Sequence, residues 1–235
     1  MLYEKAGKEG HVTAEVMGVK MDDFLGHLHT AAWNFERNRE VLKNIPYLKF
    51  HDLAMVPMAI LPNGEDIVLT RSHAAQLGLA EGELLQKAMD NNAKICPPSI
   101  CNLGDIEMWR WKDLNTVEPL ENQGQCLVLS NDIKKFGASL IADKSVMHKI
   151  SEAVGGDFFI LPSSTDEVLI IPQNNNLEMN PHEIKSIMEE MASNSEVKDA
   201  ALSKNIYKYN QDKQIVQTFD EKMSPEKGIK NQDER

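Results

Sequence analysis

Long apolar runs are missing from this chain of 235 residues. No stretch approaches the roughly 20 residues that a helix needs to cross a bilayer, so no membrane-spanning segment is expected. The first residues, MLYEKAGKEGH, hold no apolar block, so no signal peptide is expected either. Cysteine is scarce: Cys96, Cys101 and Cys126 make an odd number with no CxxC pair. That argues against a disulfide framework and for a reducing cytoplasm. Cations are outnumbered, with 25 Lys and Arg against 36 Asp and Glu, a formal charge of -11. Phosphate backbones and anionic lipid surfaces both demand clustered Lys and Arg, so neither nucleic acid nor membrane is expected as a partner. An acidic surplus serves solubility and names no partner by itself.

Phosphate-cradling glycine motifs are lacking too. There is no GxGxxG and no GxxxxGK[ST], and Gly155-Gly156 closes a helical pattern rather than opening one. No GxSxG elbow is present. No cofactor is therefore expected. What is present is an ordinary globular composition, 42% hydrophobic with 13 Gly and 10 Pro, enough apolar material for a sizeable core in one large domain or two small ones.

Phe24, Leu28, Ala31, Ala32 and Phe35 recur at helical spacing, continued by Leu42 and Ile45, which predicts a helix over residues 22–45 stopped by Pro46. Two apolar runs then flank Pro62-Asn63-Gly64-Glu65, a hairpin signature, and Pro57 inside the first run points to an edge position or a bulge. A short helix over 72–78, with Ser72 as cap and Gly78 as stop, precedes a second over 81–93. Residues 94–124, broken by Pro97-Pro98, read as a connector. Beyond it CLVLSN and GASLIAD read as strands, and KSVMHKISEAVGG as a helix. FFILPSSTDEVLIIP, residues 158–172, reads as a hairpin, and SKNIYKYN with QIVQTF as another. Between them Asn180, Pro181 and Glu183 mark a capped helix start.

The expected fold is α+β: antiparallel sheets with helices packed on one face, divided into a poorly ordered start (1–20), an N-terminal half (21–93), the connector (94–124), a C-terminal half (125–218) and a disordered tail (219–235). Ile60-Leu61-Pro62…Asp66 and Ile160-Leu161-Pro162…Asp166 share one layout. Two similar sub-domains would produce this echo. So would convergence on turn chemistry, which the absence of a fixed period favours.

Candidate chemistry is sparse. Ser163, Ser164, Asp166 and Glu167 sit in the second hairpin turn, with His148 on the preceding helix. They would serve a small-molecule hydrolase only with a base beside a hydroxyl, and the same residues suit a plain turn. His27 and His29 would point to opposite sides of a helix and share no metal, and no metal site is expected. Trp109, Arg110 and Trp111 in MWRWKDL combine the residue types that dominate binding hot spots. These residues suggest a protein-binding or accessory module whose partner is another protein, with the hydrolase as alternative. Oligomeric state stays open.

Four stretches carry a resemblance: IPYLKFHDLAMVPMAIL (45–61), ELLQKAMDNN (83–92), the run from CLVLSN to VLIIP (126–172) and AALSKNIYKYN (200–210). In order and wording they resemble a bacterial domain-of-unknown-function family, number 5688, over residues 45–212. The family's Pro-Ser-Ser turn usually places a His before the Glu; this chain has Asp166 there, which weakens a family-wide role for that His. Residues 1–44 read as divergent from the family or cut short. The resemblance implies no activity, substrate or cofactor.

Overall fold

A computed structural model of the chain describes residues 21–61, 64–108, 110–117, 119, 126–173 and 202–219. Within them the fold is α+β. A small antiparallel sheet holds β1 (Leu28–Asn34), β2 (Leu48–Phe50), β3 (Leu53–Ile60) and β4 (Asp66–Val68), with β3 between β1 on one side and β2 and β4 on the other. A larger antiparallel sheet runs β11 (Ile215–Thr218), β10 (Tyr207–Asn210), β8 (Phe158–Leu161), β9 (Val168–Pro172), β7 (Leu127–Asn131), β5 (Pro98–Asn102), β6 (Lys112–Asp113). Four α-helices accompany them among the described residues: α1 (Met21–Gly26), α2 (Arg71–Gln76), α3 (Glu81–Ile95) and α4 (Lys144–Val154).

One core joins the sheets. Ala32, Leu53 and Met55 of the small sheet pack with Ile100, Leu129, Ile160 and Tyr209 of the large one and with Val146, Ile150 and Val154 of α4. Each of these α4 side chains, removed from water, contributes about 2 kcal/mol. Asp143 caps α4 by accepting from the Ser145 and Val146 amides at 2.8 and 3.2 Å. Gly155 ends it at φ 80°, where a side chain would be strained.

Several expectations are corrected here. The helix expected over 22–45 breaks after Gly26, and Leu28–Asn34 is strand β1. Both of its faces are buried: Leu28 meets Leu84 and Ala88 of α3, while Ala31 and Trp33 meet Leu42 and Ile45. A strand buried on both faces lacks the period of two that would have revealed it. Its outer edge is covered by α3, where Asn92 Oδ1 accepts from the Thr30 amide at 2.8 Å. GASLIAD is not a strand but a buried 3-10 helix, Gly137–Ala142. Thr70, not Ser72, caps α2, in a reciprocal box with His73. The stretch 94–124, read as a connector, supplies β5 and β6 to the large sheet.

Pro57 lies in the central strand, neither at an edge nor in a bulge. Its carbonyl accepts from Leu69 N at 2.9 Å, so its nitrogen faces the same side. There β2 pairs only with residues 53–55 and β4 only with 58–60, so the missing N–H falls in the gap between them. Both expected hairpins formed by 60–66 and 158–172 are present, as is the closing pair β10–β11. Residues 1–20 and 220–235 and the helix expected from Asn180 lie outside the described residues. Phe219, assigned to the tail, packs edge-on against Phe159 at 5.1 Å.

The sheets also meet at the β2–β3 turn. His51, at φ 55°, stacks on Tyr207 and bonds with Val216 O at 3.2 Å and Thr218 Oγ1 at 3.3 Å. A carbonyl only accepts, so Nε2 donates to Val216 and Nδ1 accepts from the threonine hydroxyl. Asp52 accepts from the hydroxyls of Tyr207 and Ser203, and both of those residues are almost wholly buried.

Asp157 anchors the far end of the sheet. Burial works against its charge, but the Gln211 amide, the Lys208 ammonium and the Asn210 side chain outweigh burial and hold its carboxyl below the usual range. A pKa lowered by folding stabilises above the unfolded value, about 3.9, and that gain is lost as pH falls through the folded value. Asp157→Asn is therefore expected to flatten the fall of the melting temperature below about pH 4. Melting curves from pH 2 to 6 check this, and a slope equal to the wild type's contradicts it.

Candidate functional site

The hairpin turn between β8 and β9 uses its hydroxyls on itself. Ser163 Oγ donates to the Glu167 carbonyl at 3.1 Å, and Ser164 Oγ accepts from the Asp166 and Glu167 amides at 3.1 and 3.2 Å. Neither hydroxyl reaches a His, Lys or carboxylate side chain among the described residues. His148 lies on α4, its Nε2 3.6 Å from Glu152, and is not joined to the turn. Asp166 acts outward: Oδ1 accepts from the Phe136 amide at 2.9 Å, and its carbonyl accepts from Ser130 Oγ at 2.7 Å. The Thr165 carbonyl accepts from Ala138 N at 3.2 Å. The turn is thus docked on the segment that follows β7.

That segment is tightly wound. Asn131 bonds both backbone groups of Lys135, at 2.6 and 3.3 Å. Lys134 and Phe136 are both left-handed, at φ 56° and 58°, conformations that side chains rarely adopt and that need surrounding bonds to persist. Gly137 follows because nothing larger fits against Ser130 and Asp166. The result is that Lys134 is turned back across the sheet. Its Nζ donates to Ser99 Oγ at 2.6 Å and lies 3.3 Å from the centroid of the Trp111 ring.

The sheet register explains the meeting. Ser99 of β5 lies opposite Ser130 of β7, and the β7–β9 register, extended one residue past Leu129↔Val168, sets Glu167 opposite Ser130. Ser99, Ser130 and Glu167 therefore share one row and one face. Two of the stretches singled out in the sequence, around Trp111 and Glu167, converge on a lysine that was not.

Burial pushes the Lys134 ammonium down to about 8, against the upward pull of Cys101, Asp132 and Glu167. The π-face of Trp111 also attracts the cation. Cys101 adds little in practice, because burial raises its thiol and keeps it neutral near pH 7. Burial likewise raises the Glu167 carboxyl, with Asp166 adding to the effect and Lys134 opposing it. No carboxylate lies within ion-pair distance of Lys134 among the described residues, whereas Lys43, Lys135 and Lys208 have partners at 2.5, 3.1 and 3.0 Å. The indole Nε1 of Trp111 is buried without an acceptor among the described residues. Arg110 is exposed and faces Asp105 at 3.9 Å, and Trp109 lies outside the described residues.

A concavity of about 750 Å³ opens between α3, β1 and the start of α4. Its buried polar atoms satisfy one another: Asn92 with Thr30 at 2.7 and 2.8 Å, and Ser139 with the Phe136 carbonyl at 2.9 Å. Only rim charges remain for a ligand there. His27 and His29 do not face opposite sides of a helix, since His29 belongs to β1; His27 is exposed and His29 is buried. Among the described residues no group of three His, Cys, Asp or Glu is placed to hold a metal ion, and no helix is long and apolar enough to cross a membrane.

Neither a curated protein nor a solved structure matches the chain. A family of unknown function matches residues 2–211. The match reaches back through residues 2–44, so that segment, expected to be divergent or cut short, lies within the matched region. With nearly nine-tenths of its length matched, the chain belongs to the family of unknown function DUF5688.

Proposed function

We propose that the chain is a cytoplasmic binding module that takes an acidic, extended segment of another protein at the corner formed by Lys134, Trp111 and edge strand β6. The observation that carries this reading is the half-buried Lys134 ammonium, which has no carboxylate partner among the described residues. A charge drawn partly out of water is costly until an opposite charge meets it, and a partner's Asp or Glu would supply one. β6 closes the described strand order, and its Lys112 and Asp113 side chains are exposed. An extended segment adding to such an edge gains backbone hydrogen bonds while its side chains reach neighbouring residues. Arg110 and Lys112 flank Trp111 and suit an acidic sequence. The three unpaired thiols fit a reducing compartment.

Selection of a random peptide display library on the immobilised protein tests this. Enrichment of Asp- and Glu-rich sequences is expected, with affinity falling about tenfold in Lys134→Gln and with rising salt. Peptides without acidic bias, or with equal affinity for Lys134→Gln, would overturn the reading.

A further inference from the structure

We propose that Ser99 and Lys134 form a nucleophile–base pair for acyl transfer from carboxylic esters. This goes beyond the binding reading, since it rests on the hydroxyl rather than on charge pairing. A serine becomes a nucleophile when a base lies within hydrogen-bond reach and a third group orients that base. Lys134 Nζ stands 2.6 Å from Ser99 Oγ, and the face of Trp111 holds the lysine from below at 3.3 Å. Ser99 itself is fixed by a strand paired on both sides, to β6 and β7. An oriented, largely immobile hydroxyl is what near-attack geometry needs. The unpaired Trp111 Nε1–H belongs to the same ring that supports the lysine, and it is a donor in want of an oxygen.

Ser99 is itself buried, at 6% exposure, and is reached only past its partly exposed neighbours. Lys134, Trp111 and Glu167 are partly exposed, and Asp132, Ile133 and Asp113 around them are exposed. In the step, Ser99 Oγ gives its proton to the neutral Lys134 amine and bonds to the ester carbonyl carbon. The carbon–oxygen bond to the leaving alcohol breaks, and the alcohol takes the proton from the Lys134 ammonium. Water then gives a proton to Lys134 and attacks the acylated serine. The acid departs, and Ser99 recovers its proton from Lys134. The net change is ester and water to acid and alcohol. An amine that titrates near pH 8 has its neutral form available close to neutral pH.

Ser163 and Ser164, the hydroxyls named from the sequence, have no such base. The alternative hydrolase reading therefore moves to a residue 64 positions earlier.

The test uses the full chain with a fluorophosphonate probe and with p-nitrophenyl acetate. The probe is expected to label Ser99, mapped by peptide mass spectrometry, and ester turnover is expected to rise as pH climbs through about 8. Ser99→Ala should abolish labelling, and Lys134→Arg, which keeps the charge but cannot yield its proton, should slow it about a hundredfold. Circular dichroism confirms that both variants are folded. A label on another residue, or ester turnover unchanged in folded Ser99→Ala, would overturn the proposal. Binding of acidic peptides by Ser99→Ala is read separately, so the two ideas fail independently.

Discussion

Replacing Gly137 by alanine is expected to lower the free energy of unfolding by about 3 kcal/mol, the upper range for forcing a methyl into a packed site. A Cβ at this position would sit 2.6 Å from the Asp166 carbonyl oxygen and 2.7 Å from Ser130 Cα and Oγ. The first two are backbone atoms, so no side chain can rotate away to make room. Relief requires β7 to move from the β8–β9 turn, which breaks the Ser130–Asp166 bond of 2.7 Å and the Phe136–Asp166 bond of 2.9 Å. The left-handed residues at 134 and 136 depend on the same contacts. Urea unfolding followed by circular dichroism measures the loss. A midpoint within error of the wild type's would mean that the turn and β7 separate freely, and the site description would fail with it.

Asp52→Ala should have the other large effect, about 3 kcal/mol, because it takes the carboxylate acceptor from two buried hydroxyls at once and leaves the tyrosine only a long contact to Ser203 Oγ at 3.5 Å. Ser203 Oγ donates to one carboxylate oxygen at 2.7 Å, and the Tyr207 hydroxyl donates to the other. Tyr207 and Ser203 are 0% and 1% exposed, so no water replaces the lost acceptor. Burial and the Asp52 bond both raise the Tyr207 phenol, which stays a donor at any physiological pH. Tyr207→Phe is the informative contrast. It removes one donor and leaves Asp52 bonded to Ser203, so it should cost only about 1 kcal/mol. Thermal melts of both variants decide the matter: equal losses would mean that the tyrosine, not the carboxylate, ties the sheets together.

The sequence was readable where an element announced itself locally. α4 had an apolar stripe and a glycine stop, and both hairpins had turn residues between apolar runs. It misled where burial was complete. Leu28–Asn34 is buried on both faces, and its Leu28, Ala31 and Ala32 fall at spacings that a helix also produces. Gly137–Ile141 is buried throughout, so nothing separated a 3-10 turn from a strand. Pro57 sits mid-sheet because two short strands leave a gap, a fact of tertiary register.

The site was half legible for the same reason. Trp111 and Glu167 stood out by residue type. Lys134 and Ser99 lie 35 residues apart, joined only by the β5–β7 pairing and a left-handed turn. No local spacing encodes that meeting. The one available hint was a polar, cation-bearing break, NDIKK, directly after a buried strand.

His51 also closes off part of the backbone of β11. Phe219 N donates to the Ile206 carbonyl at 2.8 Å, which fixes the phase of the β10–β11 ladder and turns the backbone of Val216 and Thr218 away from β10. With Ile215 43% exposed beside them, this is the kind of rim on which a second chain's strand can grow. The imidazole already occupies the Val216 carbonyl, so an incoming strand must first evict a ring stacked on Tyr207. The β2–β3 turn thus covers one backbone acceptor of that rim with a side chain from more than 160 residues earlier in the sequence.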